Sequence, residues 1–363
     1  MTDRLAVLVT GATGLLGRGI VSALRENTRV ECIYTVVRTP DRLERATIRV
    51  TARVIPVRGD LARDDLGISD ADRERLAREV TTVVHLAANT SFAQTLDEAR
   101  AINRDGTRRL LALTADWPRL TRWLYVSTAF VAGDRTGVIR ESDPAEAGHG
   151  WVNGYEQSKA EAEALVRAAR ADWVIARPST VVCDDLGGRI SQVNAVHRAL
   201  RLYFGGLAAM LPGTDASTLD VVTAAYVVRG LTRLALGAGV PRATYHLCAG
   251  AGAMPLDQLL DVTHDAFLRS PTWRRRGIVR PLRTDLETYR IFERAVEDAG
   301  SERVRRAVQS LAHFVPQLAH PKHFDTSSAD AVLGEPAPAV GEFWASMVAT
   351  LAGAAAGPAR EVA

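Results

Sequence analysis

The chain is 363 residues long, with a hydrophobic share of 47% and a formal net charge of +3, enough apolar material for one large domain or two modest ones. That charge is too small to argue for nucleic acid, and no uninterrupted apolar run approaches the roughly 20 residues needed to span a bilayer. Three scattered cysteines, Cys32, Cys183 and Cys248, read as a reducing cytoplasm without a metal site, and the first strand starts too early to leave room for a signal peptide.

Ala6-Val7-Leu8-Val9 is an apolar run too short for a buried helix, and it stops at Gly11. The pattern resumes at helical spacing through Leu15, Leu16, Ile20, Val21 and Leu24, which predicts a buried strand, a tight glycine turn and a helix. Glycines at 11, 14 and 17 suit three jobs there: turning the chain, letting a pyrophosphate approach bare backbone, and letting helix pack on strand. The phosphate then meets the free N–H groups and positive dipole end of that helix.

Val30 to Val37 reads as a second strand. An acid near its end normally holds the ribose 2′-hydroxyl of NAD, but this strand runs into Arg38, with no acid before Asp41. An arginine suits a 2′-phosphate and points to NADPH; the alternative is a solvated arginine in an arginine-rich chain. Arg53 to Val57 gives a third strand, after which Asp60 could accept from the adenine amino group or cap the following turn. Leu66 to Val80 reads as an exposed, charged helix. Thr82 to Ala88 is a fourth strand whose small end residues, Ala87 and Ala88, leave space in the crevice. His85, inside that apolar run, reads as a core histidine rather than a catalyst.

Ile102 to Thr107, which includes Asn103, leads a helix through Leu110, Leu111 and Leu113; Trp123 to Val126 is the fifth strand, ending in Ser127-Thr128; Asp172 to Ala176 is the sixth, followed by Arg177-Pro178-Ser179-Thr180. Such alternation means an α/β, doubly wound parallel sheet. Beyond Val182 it lapses. Ser191 to Leu207 reads as helical, and Leu219 to Val222 and Thr244 to Cys248 read as strands rejoining the sheet. The organisation that follows is a dinucleotide-binding domain over 1–182 plus 219–250, a mainly helical substrate-binding region over 183–218 plus 251–333, and a C-terminal helix and tail over 334–363. In the last of these Val340, Phe343, Trp344, Met347 and Leu351 share one helical face.

Lysine occurs only at Lys159 and Lys322; every other basic side chain is arginine. A lysine in this chain therefore marks a position where a planar, permanently charged guanidinium would not serve. Lys159 closes Tyr155-Glu156-Gln157-Ser158-Lys159, whose i, i+4 spacing puts Tyr155 and Lys159 on one helix face. A phenol near pKa 10 is a poor acid at neutral pH, and an ammonium one turn away is expected to lower that value and make Tyr155 a usable proton donor. Thr128 supplies a second hydroxyl for a carbonyl oxygen.

Thr10 to Gly17, Asn103, Ser127-Thr128 and Tyr155-x-x-x-Lys159 resemble the extended short-chain dehydrogenase/reductases, and Val131-Ala132-Gly133 aligns Thr128 rather than Ser127 with the family's catalytic hydroxyl. Four segments, Gly11 to Gly17, Tyr125 to Val131, Arg177 to Val182 and Leu219 to Val228, resemble the fatty acyl-CoA reductases and the thioester reductase domains that end nonribosomal peptide and polyketide lines. The chain departs from the acyl-CoA reductases at Thr223-Ala224-Ala225, where they usually carry proline and aspartate. The resemblance implies catalysis by Thr128, Tyr155 and Lys159. It implies NADPH held by Gly11, Thr13, Gly14, Leu15, Leu16 and Gly17, by Arg38, Asp60 and Leu61, by Ala87, Ala88, Asn103 and Lys159, and by Pro178, Ser179 and Thr180. The implied reaction reduces an acyl thioester, on CoA or an acyl or peptidyl carrier protein, to an aldehyde, and a second hydride would give the alcohol. Competing readings are a nucleotide-sugar epimerase, dehydratase or sterol-type dehydrogenase, and a non-catalytic NADP-binding sensor. The stretch Trp273 to Arg276, with Arg280 and Arg283, is either a contact for CoA phosphates or an acidic carrier, or a solvated face.

Overall fold

A computed structural model describes residues 4–39, 54–145, 150–312 and 314–356. Its centre is a parallel sheet of seven strands: β1 (Leu5–Thr10), β2 (Val30–Val37), β3 (Val54–Arg58), β4 (Thr82–His85), β5 (Arg122–Val126), β6 (Trp173–Pro178) and β7 (Ala243–Leu247). The order across the sheet is β7-β6-β5-β4-β1-β2-β3. The chain builds outward from β1 in one direction and then returns to build in the other. The reversal lies between β1 and β4, and a doubly wound sheet opens its ligand crevice at the carboxyl ends of the strands flanking that point.

Both faces of the sheet are covered, so its strands are largely apolar on both faces rather than only on alternate side chains. Along β1, Val7 and Val9 enter one core and Leu8 the other; along β5, Leu124 and Val126 join the first, Trp123 and Tyr125 the second. The first core is closed by α1 (Leu15–Glu26), through Ile20, Val21 and Leu24, and by the helix Ala224–Ala235. The second is closed by α2 (Asp70–Glu79), by α4 (Asp105–Thr114), which follows α3 (Leu96–Asn103), and by α5 (Gly154–Ala168), through Leu76, Leu110, Ala162 and Val166.

The structure departs from the sequence reading in several places. The helix read from Leu66 begins at Asp70, because Asp65 and Leu66 turn the chain with positive φ values of 47° and 55° and Ser69 then caps the helix. The helix read from Ser191 begins at Ala195, where the Asn194 side chain accepts from the N–H groups of Val196 and His197. Leu219 to Val222 does not rejoin the main sheet. Instead Val221–Thr223 pairs in parallel with Thr180–Cys183, a strand that restarts directly after β6, and Thr218–Leu219 pairs with Met254–Pro255. Arg53 and Asp41 lie outside the described residues, as does the end of the tail, 357–363.

The C-terminal helices share the first core. The helix Val340–Ala356 buries Val340, Phe343, Trp344, Met347 and Leu351, and the Trp344 indole donates to Thr263 Oγ1 at 2.9 Å. Short parallel ladders pin this region to the rest: Lys322–Phe324 on Gly137–Ile139, and Leu282–Thr284 on Met210–Pro212. Among the described residues no helix is long and apolar enough to cross a membrane.

Candidate active site

The three glycines after β1 differ in what surrounds them. Gly11 has φ +75°, and a Cβ on it would lie 2.7 Å from the Ala87 nitrogen at the end of β4. A Cβ on Gly17 would lie 2.1 Å from the Gly11 carbonyl oxygen, so loop and helix touch backbone to backbone. Gly14 meets only the Gly11 carbonyl, at 3.5 Å, and its other side is open. Gly14 is also the N-cap of α1; no side chain caps that end and its first turn holds no acid. The unsatisfied N–H groups and the dipole therefore face the opening, which is the chemistry a pyrophosphate requires.

Under the loop, Thr10 Oγ1 meets His85 Nδ1 at 2.6 Å and accepts from the Ala87 N–H at 3.2 Å, and His85 Nε2 meets Thr107 Oγ1 at 3.0 Å. Burial, reinforced by the charge of Lys159, pushes His85 down to about 3. It is a neutral core histidine, as read from the sequence.

The loop opens into a cleft of about 720 Å³, within the usual range for ligand sites. Gly11, Thr13, Gly14, Leu15, Leu16 and Gly17 line one end of it, with Arg38, Asp60 and Leu61 beside them. Ala87, Ala88, Thr128, Tyr155, Lys159, Pro178, Ser179 and Thr180 line it further along, as do Phe92, Phe130 and Asn194. Arg38 is exposed at the rim. Asp60 uses Oδ1 to accept from the Ala62 N–H at 3.0 Å, so it caps its turn while bordering the cleft.

Asn103 is not among the lining residues. Its buried amide accepts from the Asn89 N–H at 2.8 Å and donates to the Asn89 carbonyl at 3.0 Å and to Ser158 Oγ at 2.9 Å. With its donors and acceptor engaged in this way, it ties the Asn89 loop to α5 and has no amide group turned to the cleft.

Tyr155 and Lys159 do share a face of α5, whose start is fixed by the Asn153 side chain accepting from the Glu156 N–H. The acidified phenol, however, is absent. Burial pushes Tyr155 up to about 12, opposed by a hydrogen bond with the Thr128 side chain and assisted by the charge of Glu156. Lys159 is not among the influences on it, because its ammonium points elsewhere. Nζ donates to the Val126 carbonyl at 2.8 Å and lies 4.1 Å from the centre of the Tyr125 ring. Burial takes Lys159 down to about 7, partly offset by Glu163 one turn further on.

Sequence reading missed the ion pair beneath this constellation. Arg177 donates to Glu163 from Nε at 2.9 Å and from Nη2 at 2.7 Å, and both side chains are buried. The signal was present: an arginine closing an apolar strand, and a glutamate four residues after Lys159. Phe92 was missed too. Its ring centre lies 5.4 Å from that of Tyr155 and 6.1 Å, edge-on, from that of Phe130.

Most of the basic stretch is engaged locally. Arg280 pairs with Asp257 and Asp261, and Arg283 with Asp257 and Asp215. Arg274 donates to the Leu268 carbonyl, and Arg276 to those of Phe204 and Gly205.

The NAD-binding family described as "Male sterility protein" matches residues 9–231. The chain belongs to this family. It is 34% identical over 163 residues to Fatty acyl-CoA reductase 8 of Arabidopsis thaliana, a match that covers 37% of this chain and 33% of that protein. It is 28% identical over 245 residues to the hybrid PKS-NRPS synthetase pvhA of Talaromyces variabilis, covering 64% of this chain and 6% of the synthetase. These curated relatives are thus spanned only in part. Among solved structures, the terminal R domain from the myxalamid PKS-NRPS biosynthetic pathway superposes with TM-score 0.77 at 26% identity, covering 97% of this chain and 90% of that one. The branch of the extended short-chain dehydrogenase/reductases read from the motifs is the branch these matches fall in. A nicotinamide dinucleotide is accordingly the cofactor class, and the open face of Gly14 and the uncapped α1 fit it.

Proposed function

We propose that this protein is an NADPH-dependent reductase of acyl thioesters, releasing an aldehyde and a free thiol. The observation that carries the reading is a single cleft that joins an uncapped helix start to the hydrogen-bonded hydroxyls of Thr128 and Tyr155 with Lys159 behind them. The glycine loop and α1 would hold the pyrophosphate, Ala87 and Ala88 would leave room for the dinucleotide, and Arg38 at the rim would pair with a 2′-phosphate. When bound there, the reduced cofactor supplies hydride to the thioester carbonyl carbon.

The chain's own residues handle the oxygen. Thr128 and Tyr155 present two hydroxyls to the carbonyl, and as negative charge develops on it their hydrogen bonds strengthen. Tyr155 donates the proton, and its high value as a free phenol means that it stays protonated until an oxyanion of higher basicity faces it. Lys159, whose Nζ is held by the Val126 carbonyl in the cleft wall, would reach the ribose hydroxyls of the dinucleotide, and the phenolate left on Tyr155 regains its proton from solvent through the cleft. Collapse of the resulting hemithioacetal breaks the carbon–sulfur bond and frees the thiol that carried the acyl group. The carrier is CoA or the pantetheine thiol of a carrier protein, a partner class supported by the R-domain likeness.

The test is a panel of acyl-CoA and acyl-carrier thioesters mixed with NADPH, scored for NADPH oxidation, free thiol, aldehyde and alcohol. Turnover with thiol release is expected, and Tyr155→Phe should lower it by about 10²- to 10⁴-fold while NADPH still binds. NADPH binding without turnover of any thioester, aldehyde or ketone would replace this reading with that of a sensor. Arg38→Ala should weaken NADPH more than NADH; equal affinities in both proteins would remove the 2′-phosphate assignment.

A further inference from the structure

Lys322 is the second of the chain's two lysines, and the reaction above makes no use of it. It stands on the strand Lys322–Phe324, just after the turn of helix Val315–Ala319. Its ammonium donates to Gln317 Oε1 and to the His320 carbonyl, both at 3.0 Å. Gln317 is buried, and its Nε2 donates to Glu156 Oε1. Glu156 is fully buried beside Tyr155 and also accepts from the Val152 N–H at 3.0 Å and from Asn153 Nδ2 at 2.9 Å. A chain of contacts therefore runs from the half-buried Lys322 through the buried Gln317 to the turn of α5 that carries the tyrosine.

The same segment reaches that turn a second way. Phe314, which precedes the short helix, stacks on Phe92 with ring centres 6.4 Å apart and planes 11° from parallel, and Phe92 packs on Tyr155. The segment itself is held from outside. The Gly137 N–H donates to the Pro321 carbonyl at 2.9 Å, the Lys322 strand pairs with Gly137–Ile139, and Ser217 Oγ donates to the Leu318 carbonyl at 2.6 Å.

We infer that residues 314–322 form a strap that orients the tyrosine, with Gln317 and Lys322 as positioning residues acting on it through Glu156. The inference rests on the reading of Tyr155 as the proton donor. A lysine suits the place because a compact ammonium on a flexible stem satisfies two carbonyl-type oxygens there, where a planar guanidinium would need more room. A glutamate suits the other end because all three of its partners donate, so only the ionised form satisfies them all. Burial raises Glu156 to about 7 despite those donors and the charge of Lys322, and burial lowers Lys322 to about 8. The other ionisable groups facing the contact are Tyr155 on the same turn, His320 on the strap, and Asp134 and Arg290 beside it.

The sign follows. Protonating either oxygen of Glu156 sets an O–H against a donor it now accepts from, either Val152 on Oε2 or Asn153 and Gln317 on Oε1, and loosens the tyrosine turn, so kcat should fall as pH drops through about 7. Lys322→Met removes a charge that favours the carboxylate, so this acid limb should move up by about one pH unit. Gln317→Leu should do likewise, and with the limb moved from about 7 to about 8 both should lower kcat at pH 7 by about fivefold, with KM for NADPH and NADPH affinity little changed. Activity should recover toward the wild-type value at pH 9 in Lys322→Met, which a merely less stable protein would not do. An acid limb that stays in place in both variants, with their kcat within twofold of wild type, overturns the strap. The Glu156 carboxyl titration, followed by carbon-13 NMR of labelled glutamate, provides a readout independent of turnover. A wild-type value well above the ordinary carboxylate range, moved further up in Lys322→Met, supports the coupling even if every thioester fails. An ordinary, unmoved value overturns it even if the reductase reading stands.

Discussion

The buried ion pair under the cleft offers a measurement with a calculable size. Arg177→Met removes both hydrogen bonds to Glu163 and the two that Nη1 and Nη2 donate to the Asp143 carbonyl at 3.1 Å. Glu163, with no exposed surface, then keeps only the Arg167 guanidinium at 3.5 Å, the Ser127 hydroxyl and the more distant charge of Lys159. Stranding one member of a buried pair costs about 3–5 kcal/mol, and with roughly 2.1 cal/mol/K of unfolding entropy per residue, or about 1.3 °C per kcal/mol for this chain, the melting temperature should fall by about 4–7 °C. The double variant Arg177→Met with Glu163→Leu replaces both charges by apolar groups and should recover most of that loss. The pH dependence separates this cause from lost packing. In the wild type Glu163 sits below the ordinary carboxylate range: burial pushes it up, and the charge and hydrogen bonds of Arg177 more than reverse this. Its stabilisation is therefore present above the unfolded value and lost as pH falls through the lower folded one. Without Arg177, burial outweighs the weaker pull of Arg167 and Ser127 and raises the folded value above the unfolded one, so the deficit should be largest at pH 7–8 and shrink toward pH 5. Differential scanning calorimetry of the three proteins across that range is the assay. A single variant within 2 °C of wild type, or a deficit independent of pH, would refute the reasoning.

Other expectations follow from single contacts. Gly17→Ala places a Cβ where the Gly11 carbonyl oxygen stands, 2.1 Å away; the loop must shift, and NADPH affinity should fall by at least about tenfold in a titration of cofactor fluorescence while the far-ultraviolet circular dichroism is unchanged. Asn103→Ala leaves the half-buried Asn89 N–H without its acceptor and should cost about 1 kcal/mol in urea unfolding. Trp344→Ala empties a fully buried site and frees Thr263, at about 3–5 kcal/mol by the same measurement.

What sequence could and could not supply divides along a physical line. Strand, glycine turn and helix over Leu5 to Glu26 are local: each residue's conformation is dictated by neighbours within a few positions, and the alternation of period tells them apart. The same holds for the apolar face of Val340–Ala356 and for the one-turn spacing of Tyr155 and Lys159. Where a polar group spends its hydrogen bonds is decided by residues far along the chain. Lys159 is committed to Val126, 33 positions away, and to the Tyr125 ring, which is why an i, i+4 argument placed its charge on the wrong neighbour. Asn103 was assigned to the cofactor by family likeness, yet Asn89 and Ser158 had already claimed its amide.

Leu219 to Val222 has strand composition and forms strands, but composition names no partner. Once Thr180–Cys183 restarts after the proline that ends β6, it offers an edge to Val221–Thr223, and the main sheet takes Ala243–Leu247 instead. The two lysines make the same point from the other side. Their rarity flagged both as special, and rarity is a property of the sequence. That one stands in the cleft and the other acts on it from Gln317 is a property of the fold, because Glu156 and Gln317 are 161 positions apart and only folding brings their side chains into contact.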